Sequence, residues 1–182
     1  LNVVDGQLCI EEKAIYSIEK FIVARRLMYW QVYLHRTVLS AEHMLMLVLN
    51  RAKHLARRGK NVFASPALSL FLHDDLDRAK FLADPDVLER FCELDDSDIF
   101  VAMKSWRHHE DRVLALLSER LLDRGLFRIE LRPEPFTEAD VAERVQATAE
   151  ALDFTLEEAS FLVSNARIDN KAYVPKGIHV LY

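Results

Sequence analysis

The stretch Tyr16 to Thr37 reads Y-S-I-E-K-F-I-V-A-R-R-L-M-Y-W-Q-V-Y-L-H-R-T. It has no Gly or Pro and is rich in helix formers, so a helix is expected here. At about 100° per residue, Arg25, Tyr29, Tyr33 and Arg36 fall within an arc of about 80° and span roughly 16 Å. Two guanidiniums and two phenols in one stripe suit a polyphosphate carrying a flat base or sugar. The plainer alternative is an amphipathic helix whose arginines pair with acidic neighbours and whose tyrosines are half buried. Spacing leaves both open. His35 borders a different face and is available for a separate contact with a partner or a second ligand.

Working outward, Val3 to Ile10 carries the signal of a short hairpin, with Asp5-Gly6 as its two-residue turn. From Glu12 to about Arg58 the pattern is helical and closes at Gly59. That is long for one globular helix, so two helices or one kinked helix are expected, bending near His35. Ser65-Pro66 reads as an N-cap with proline in the first turn of a short helix. Short helices are expected over 75–81 and 85–94. Asp95 to Asp98 caps another, running to about His108. Glu110 to Arg124 follows, closed by Gly125. Leu126 to Leu131 alternates like a strand, Thr137 opens a helix to about Leu152, and Thr155 to Glu158 is a capping box. The tail, Ile178 to Tyr182, returns as a strand. The fold class is therefore mostly α, with an N-terminal β-hairpin, a helical part over 1–125 and a small α+β end over 126–182.

The chain has 182 residues, 51% of them hydrophobic and 29% charged, which reads as globular. The longest apolar run, Met44 to Leu49, stops far short of the ~18 residues a membrane span needs. Cys9 and Cys92 have no metal-like spacing, which points to free thiols in a reducing cytoplasm. Charge is split. Residues 1–60 hold 10 Lys+Arg against 5 Asp+Glu, and residues 61–182 hold 14 against 24. Either a basic helix packs on an acidic remainder, or the first third meets anions. Both ends read as if cut within a strand, so a piece of a longer polypeptide is expected.

Other candidates yield to ordinary readings. His73-Asp74 lacks ligands on other elements, and adjacent His108-His109 side chains point about 100° apart, so neither is expected to hold a metal. His108-His109 reads instead as a solvated loop. Asp95, Asp96 and Asp98 suit N-capping better than acid–base work. The basic run 51–60 lacks interleaved aromatics, so nucleic-acid binding is not expected. Four glycines cannot make a glycine-rich phosphate cradle, and no complete catalytic set is present.

The block Ala24 to Thr37 resembles a segment of the HD-domain phosphohydrolases, in the branch of the dNTP triphosphohydrolases. The likeness extends to Val3–Ile10 with Glu11-Glu12-Lys13, to Leu94–Ile99 and to Leu126–Leu131. The family's chemistry comes from a His…His-Asp…Asp set holding a divalent metal that activates water. That set lies N-terminal to the matched segment, so the resemblance implies a C-terminal portion without metal or catalytic residues of its own. It also implies that Arg25 contacts nucleotide phosphates and Tyr33 packs near the sugar, while Tyr29 stands where the family has a pocket histidine. His35 and Arg36 match a His-Lys pair that contacts a second nucleotide at a subunit interface. The implied partners are a dNTP, the HD region carrying the metal, and further copies of the chain. The rival is a non-catalytic nucleotide-binding or oligomerisation module.

Overall fold

The structure, a computed structural model, describes residues 2–168 and the backbone of 179–181. Strands β1 (Asn2–Val4) and β2 (Gln7–Glu11) form the expected antiparallel hairpin. Asp5 and Gly6 both take positive φ, 51° and 75°, as the favoured hairpin turn requires. Strand β3 (His179–Leu181) adds parallel to β2, pairing Cys9 with His179 and Glu11 with Leu181. The returning strand is thus present over those three residues, while Ile178 and Tyr182 lie outside the described ones.

A single 3₁₀ turn (Glu12–Ala14) leads into α1 (Ile15–Met28). The next five residues, Tyr29–Tyr33, wind as a π-helical turn. Its Leu34 N–H reaches back five residues to the Tyr29 carbonyl at 2.8 Å. Regular helix then fails at Leu34, with φ −98° and ψ 13°, and α2 (Arg36–Arg57) starts afresh. The break falls where a bend was expected, but the uninterrupted helix over Tyr16–Thr37 is corrected to two helices and a π turn. His35 supports the new start: its Nδ1 accepts the Thr37 N–H at 3.2 Å, as an N-cap acceptor does.

The remaining helices are α3 (Pro66–His73), α4 (Arg78–Ala83), α5 (Pro85–Glu93), α6 (Asp96–Trp106), α7 (Arg112–Leu122), α8 (Glu138–Leu152) and α9 (Leu156–Ser160). Their starts follow capping chemistry. Ser65, Asp77, Asp84, Asp95, Asp111, Thr137 and Thr155 each accept a first-turn N–H. Gly59, at φ +72°, ends α2, with Lys60 N–H bonded to the Leu55 carbonyl and Gly59 N–H to that of Ala56. At the end of α7 it is Arg124, not Gly125, that takes the left-handed conformation, at φ 58°. Gly125 sits one residue later, where an added Cβ would come within 3.1 Å of Arg120 Cδ.

Two compact units result. Among the described residues, 2–39, 167–168 and 179–181 form one, and 40–166 form the other. Neither junction falls at 125–126, and residues 126–166 share a unit with 40–125. The second unit has the core. Val48, Ala52 and Leu55 of α2 meet Leu68 and Leu72, Ala102, Met103 and Trp106, and Val113, Leu114 and Leu117. Trp106 is fully buried and donates Nε1–H to the Phe63 carbonyl at 2.8 Å. Leu126–Leu131 is not a strand. α2 side chains satisfy its backbone instead: Ser40 Oγ donates to the Phe127 carbonyl at 2.7 Å, and Met44 Sδ accepts the Phe127 N–H at 3.2 Å.

Candidate nucleotide-contacting site

Arg25, Tyr29 and Tyr33 come together on α1 and the π turn. Arg25 Nη2 donates to the Tyr29 hydroxyl at 3.2 Å, and its guanidinium carbon lies 5.1 Å from the ring centroid. Tyr29 and Tyr33 rings stand 5.0 Å apart, tilted by 53°. Both pairs are i, i+4 neighbours, which face each other on a helix surface, and the second of them lies within the π turn Tyr29–Tyr33. The result is one cation and two phenols on adjoining turns, able to donate hydrogen bonds to phosphate or ribose oxygens and to stack on a flat ring.

Arg36 is not part of this cluster's helix. The break at Leu34 puts it in the first turn of α2, and it is exposed. His35 is exposed as well, and its accepting Nδ1 leaves the proton of the neutral ring on Nε2. The five sequence candidates therefore divide into a three-residue cluster before the break and a two-residue pair after it.

An open groove of about 420 Å³, lined by Tyr16, Glu19, Lys20, Val23, Ala24 and Leu27, was not read from the sequence. Its residues recur at i, i+3, i+4, i+7, i+8 and i+11, a spacing that could have marked it. At about 100° per residue, the groove faces roughly opposite to Arg25, so the two are separate surfaces of α1.

The other polar candidates are spent on structure. His73 Nδ1 donates to the Ser69 carbonyl at 2.9 Å. Asp75 pairs with Arg57 and Lys53, which hold its carboxyl below its ordinary value. Asp95 and Asp98 form the capping box of α6. His108 and His109 lie in the loop between α6 and α7 as expected, with His108 exposed, while His109 is half-buried and bonded. Its Nε2 donates to the Asn61 carbonyl at 3.0 Å, and its Nδ1 accepts the Asp111 N–H at 2.9 Å. Asp111 also accepts two bonds from buried Arg51, at 3.1 and 2.7 Å, and caps α7 through the Leu114 N–H at 2.8 Å. Burial raises the Asp111 carboxyl, but Arg51 and the Leu114 N–H outweigh it and hold it below its ordinary value. In the basic run, Lys53 and Arg57 meet Asp75, Arg58 meets Glu157 and Lys60 meets Glu110. Among the described residues, no three His, Cys, Asp or Glu side chains could hold a metal ion, and no helix is long and apolar enough to cross a membrane.

The site thus consists of an arginine and two tyrosines where α1 runs into a π turn of a mostly helical chain. Residues 1–83 match the family model described as the HD associated region. Over 130 residues, 71% of this chain, it is 32% identical to YwfO, an uncharacterized protein of Bacillus subtilis (strain 168), and it covers 28% of that protein. The crystal structure of a phosphohydrolase from Bacteroides thetaiotaomicron VPI-5482 is 45% identical with a TM-score of 0.89, covering 99% of this chain and 45% of that one. The chain thus spans less than half the length of either relative. These likenesses support a relation to the HD superfamily, with the HD associated region matched over residues 1–83.

Proposed function

We propose that the chain is the C-terminal portion of a metal-dependent HD phosphohydrolase that hydrolyses dNTPs or related nucleotides. Arg25 neutralises phosphate charge, and Tyr29 and Tyr33 shape the sugar or base pocket. The observation that carries this reading is the Arg25–Tyr29–Tyr33 cluster, built into the region that matches the HD associated model. On this reading, the divalent metal and the water it activates come from another part of the protein. His35 and Arg36 serve a second nucleotide or a subunit contact, and the assembled protein is a homo-oligomer of the cytoplasm.

The test is dNTP hydrolysis with a divalent metal, by the 182-residue chain and by the product of its whole reading frame. The chain alone is expected to show no turnover. The whole product is expected to turn over, and Arg25→Ala to lower its kcat/KM roughly tenfold to a hundredfold, as losing a bond to a charged group does. Nucleotide binding without hydrolysis by the whole product would favour the non-catalytic module.

A further inference from the structure

We infer that Tyr29 is a positioning residue for Arg25, its hydroxyl holding the guanidinium in the orientation that meets the substrate phosphate. This rests on the dNTP reading above. Arg25 is exposed, and a long side chain in water spreads over many rotamers that a phosphate contact has to freeze. Tyr29 sits one turn on, half-buried, with only two side-chain torsions of its own. It meets Arg25 in two ways. Its hydroxyl accepts the Nη2–H at 3.2 Å, and the guanidinium carbon lies over its ring, 5.1 Å from the centroid. Both contacts favour one placement, the first by direction and the second through the negative face of the ring. The Tyr33 ring, 5.0 Å away and tilted by 53°, packs on Tyr29 in turn.

The kind of acceptor matters. A carboxylate at position 29 would pair with Arg25 and offset the positive charge that a phosphate needs. A phenol accepts the same hydrogen bond and leaves that charge whole. The guanidinium is a rigid fork of N–H donors, so fixing one of them on Tyr29 aims the rest. Phe at position 29 would keep the ring contact and lose the directional bond. An arginine held in this way meets an incoming phosphate without first being ordered, which is preorganisation. The Tyr29 hydroxyl therefore acts on the substrate through Arg25.

The test has two readouts. In the 182-residue chain, nitrogen-15 relaxation of the Arg25 Nε–H is compared between the native protein and Y29F, which keeps the ring. The native guanidinium is expected to be ordered and the variant's to be mobile on the ps–ns timescale. In the product of the whole reading frame, dNTP hydrolysis with a divalent metal is measured for Y29F, R25A and the double variant. Y29F is expected to lower kcat/KM about threefold to tenfold, through whichever of kcat and KM R25A changes. In the R25A background it is expected to lower it no further, because the two residues act as one unit. Equal guanidinium order in native protein and Y29F overturns the inference. So does a Y29F effect that persists without Arg25, which would mean that the hydroxyl acts on the substrate directly or only supports the fold. A loss in R25A with none in Y29F overturns it too. If R25A leaves hydrolysis untouched, or the whole product turns over no dNTP, the functional reading falls. The order of the guanidinium then decides by itself whether Tyr29 positions Arg25.

Discussion

Helices α1 and α7 are both rich in apolar residues, yet the first buries none of its 14 residues and the second buries Val113, Leu114, Leu117 and Ser118 out of 11. The difference lies in arrangement. In α7 the apolar side chains recur at helical spacing on one face, and Asp111 fixes its first turn. In α1 they are spread around the axis, and no side chain caps its start. The comparison teaches that apolar content shows only that a helix wants burial, while periodicity shows how many sides must be covered. Within the unit of residues 40–166, α7 buries one face, whereas the short α4 there, like α1, buries no residue.

The sharpest contrast should come from Trp106. It is fully buried and bonded to the Phe63 carbonyl, so Trp106→Ala should cost about 3–5 kcal/mol in denaturant unfolding. A loss under about 1 kcal/mol would mean that the core of the second unit is no tighter than the surroundings of α1, and the comparison would fail. Arg51→Ala comes next. It strands Asp111 inside a bidentate pair whose side chains are 7% and 14% exposed, at a cost of about 3 kcal/mol. Asp111→Asn, which keeps an oxygen for the α7 cap, should lose less in the Arg51→Ala background than alone.

A middle-sized effect tests the capping that stiffens the second unit. Thr137 and Asp140 bond reciprocally, and Arg132 with the Thr137 side chain holds the Asp140 carboxyl far below its ordinary value. Thr137→Ala should cost about 1 kcal/mol. These local devices are also what the sequence makes legible. Asp5-Gly6, Gly59, Ser65-Pro66 and Thr155–Glu158 specify conformation through their own chemistry, and each stands where expected. Long-range partners were not legible. The alternation of Leu126–Leu131 matches a strand, but Ser40 and Met44 claim its backbone from more than eighty residues away. His109 hides its role in the same manner, since Asn61 lies 48 positions off. At the candidate site, the side-by-side placement of Arg25, Tyr29 and Tyr33 was legible from their spacing. The π turn that separates Arg36 from them was not, because Tyr29–Tyr33 has no residue that forbids an ordinary helix.

A smaller, pH-dependent effect belongs to His54. Burial, with Arg58 and Arg51 nearby, lowers its pKa below 6.5, while Glu157 and Asp111 act the other way. The unfolded chain therefore binds the proton more readily than the folded one. Stability from this residue is complete above the unfolded value and is lost as pH falls through it toward the folded value. Unfolding midpoints taken between about pH 7.5 and 5.5 should drop for the native chain and drop less for His54→Asn. Equal slopes would mean that His54 is as well solvated folded as unfolded.

The smallest expected effect bears most directly on the comparison. Val23 and Val113 are the same residue type on two helices, one 56% exposed and the other fully buried. Truncating Val113 to Ala removes buried methyl groups and should cost about 2 kcal/mol. Val23→Ala in the 182-residue chain should fall within about 0.5 kcal/mol of zero, as surface changes do. In the product of the whole reading frame the two values should converge, because an enclosed Val23 would lose the same contacts. If Val23→Ala already costs as much as Val113→Ala in the chain alone, α1 has found its cover without any further domain. The contrast between the two helices would then vanish.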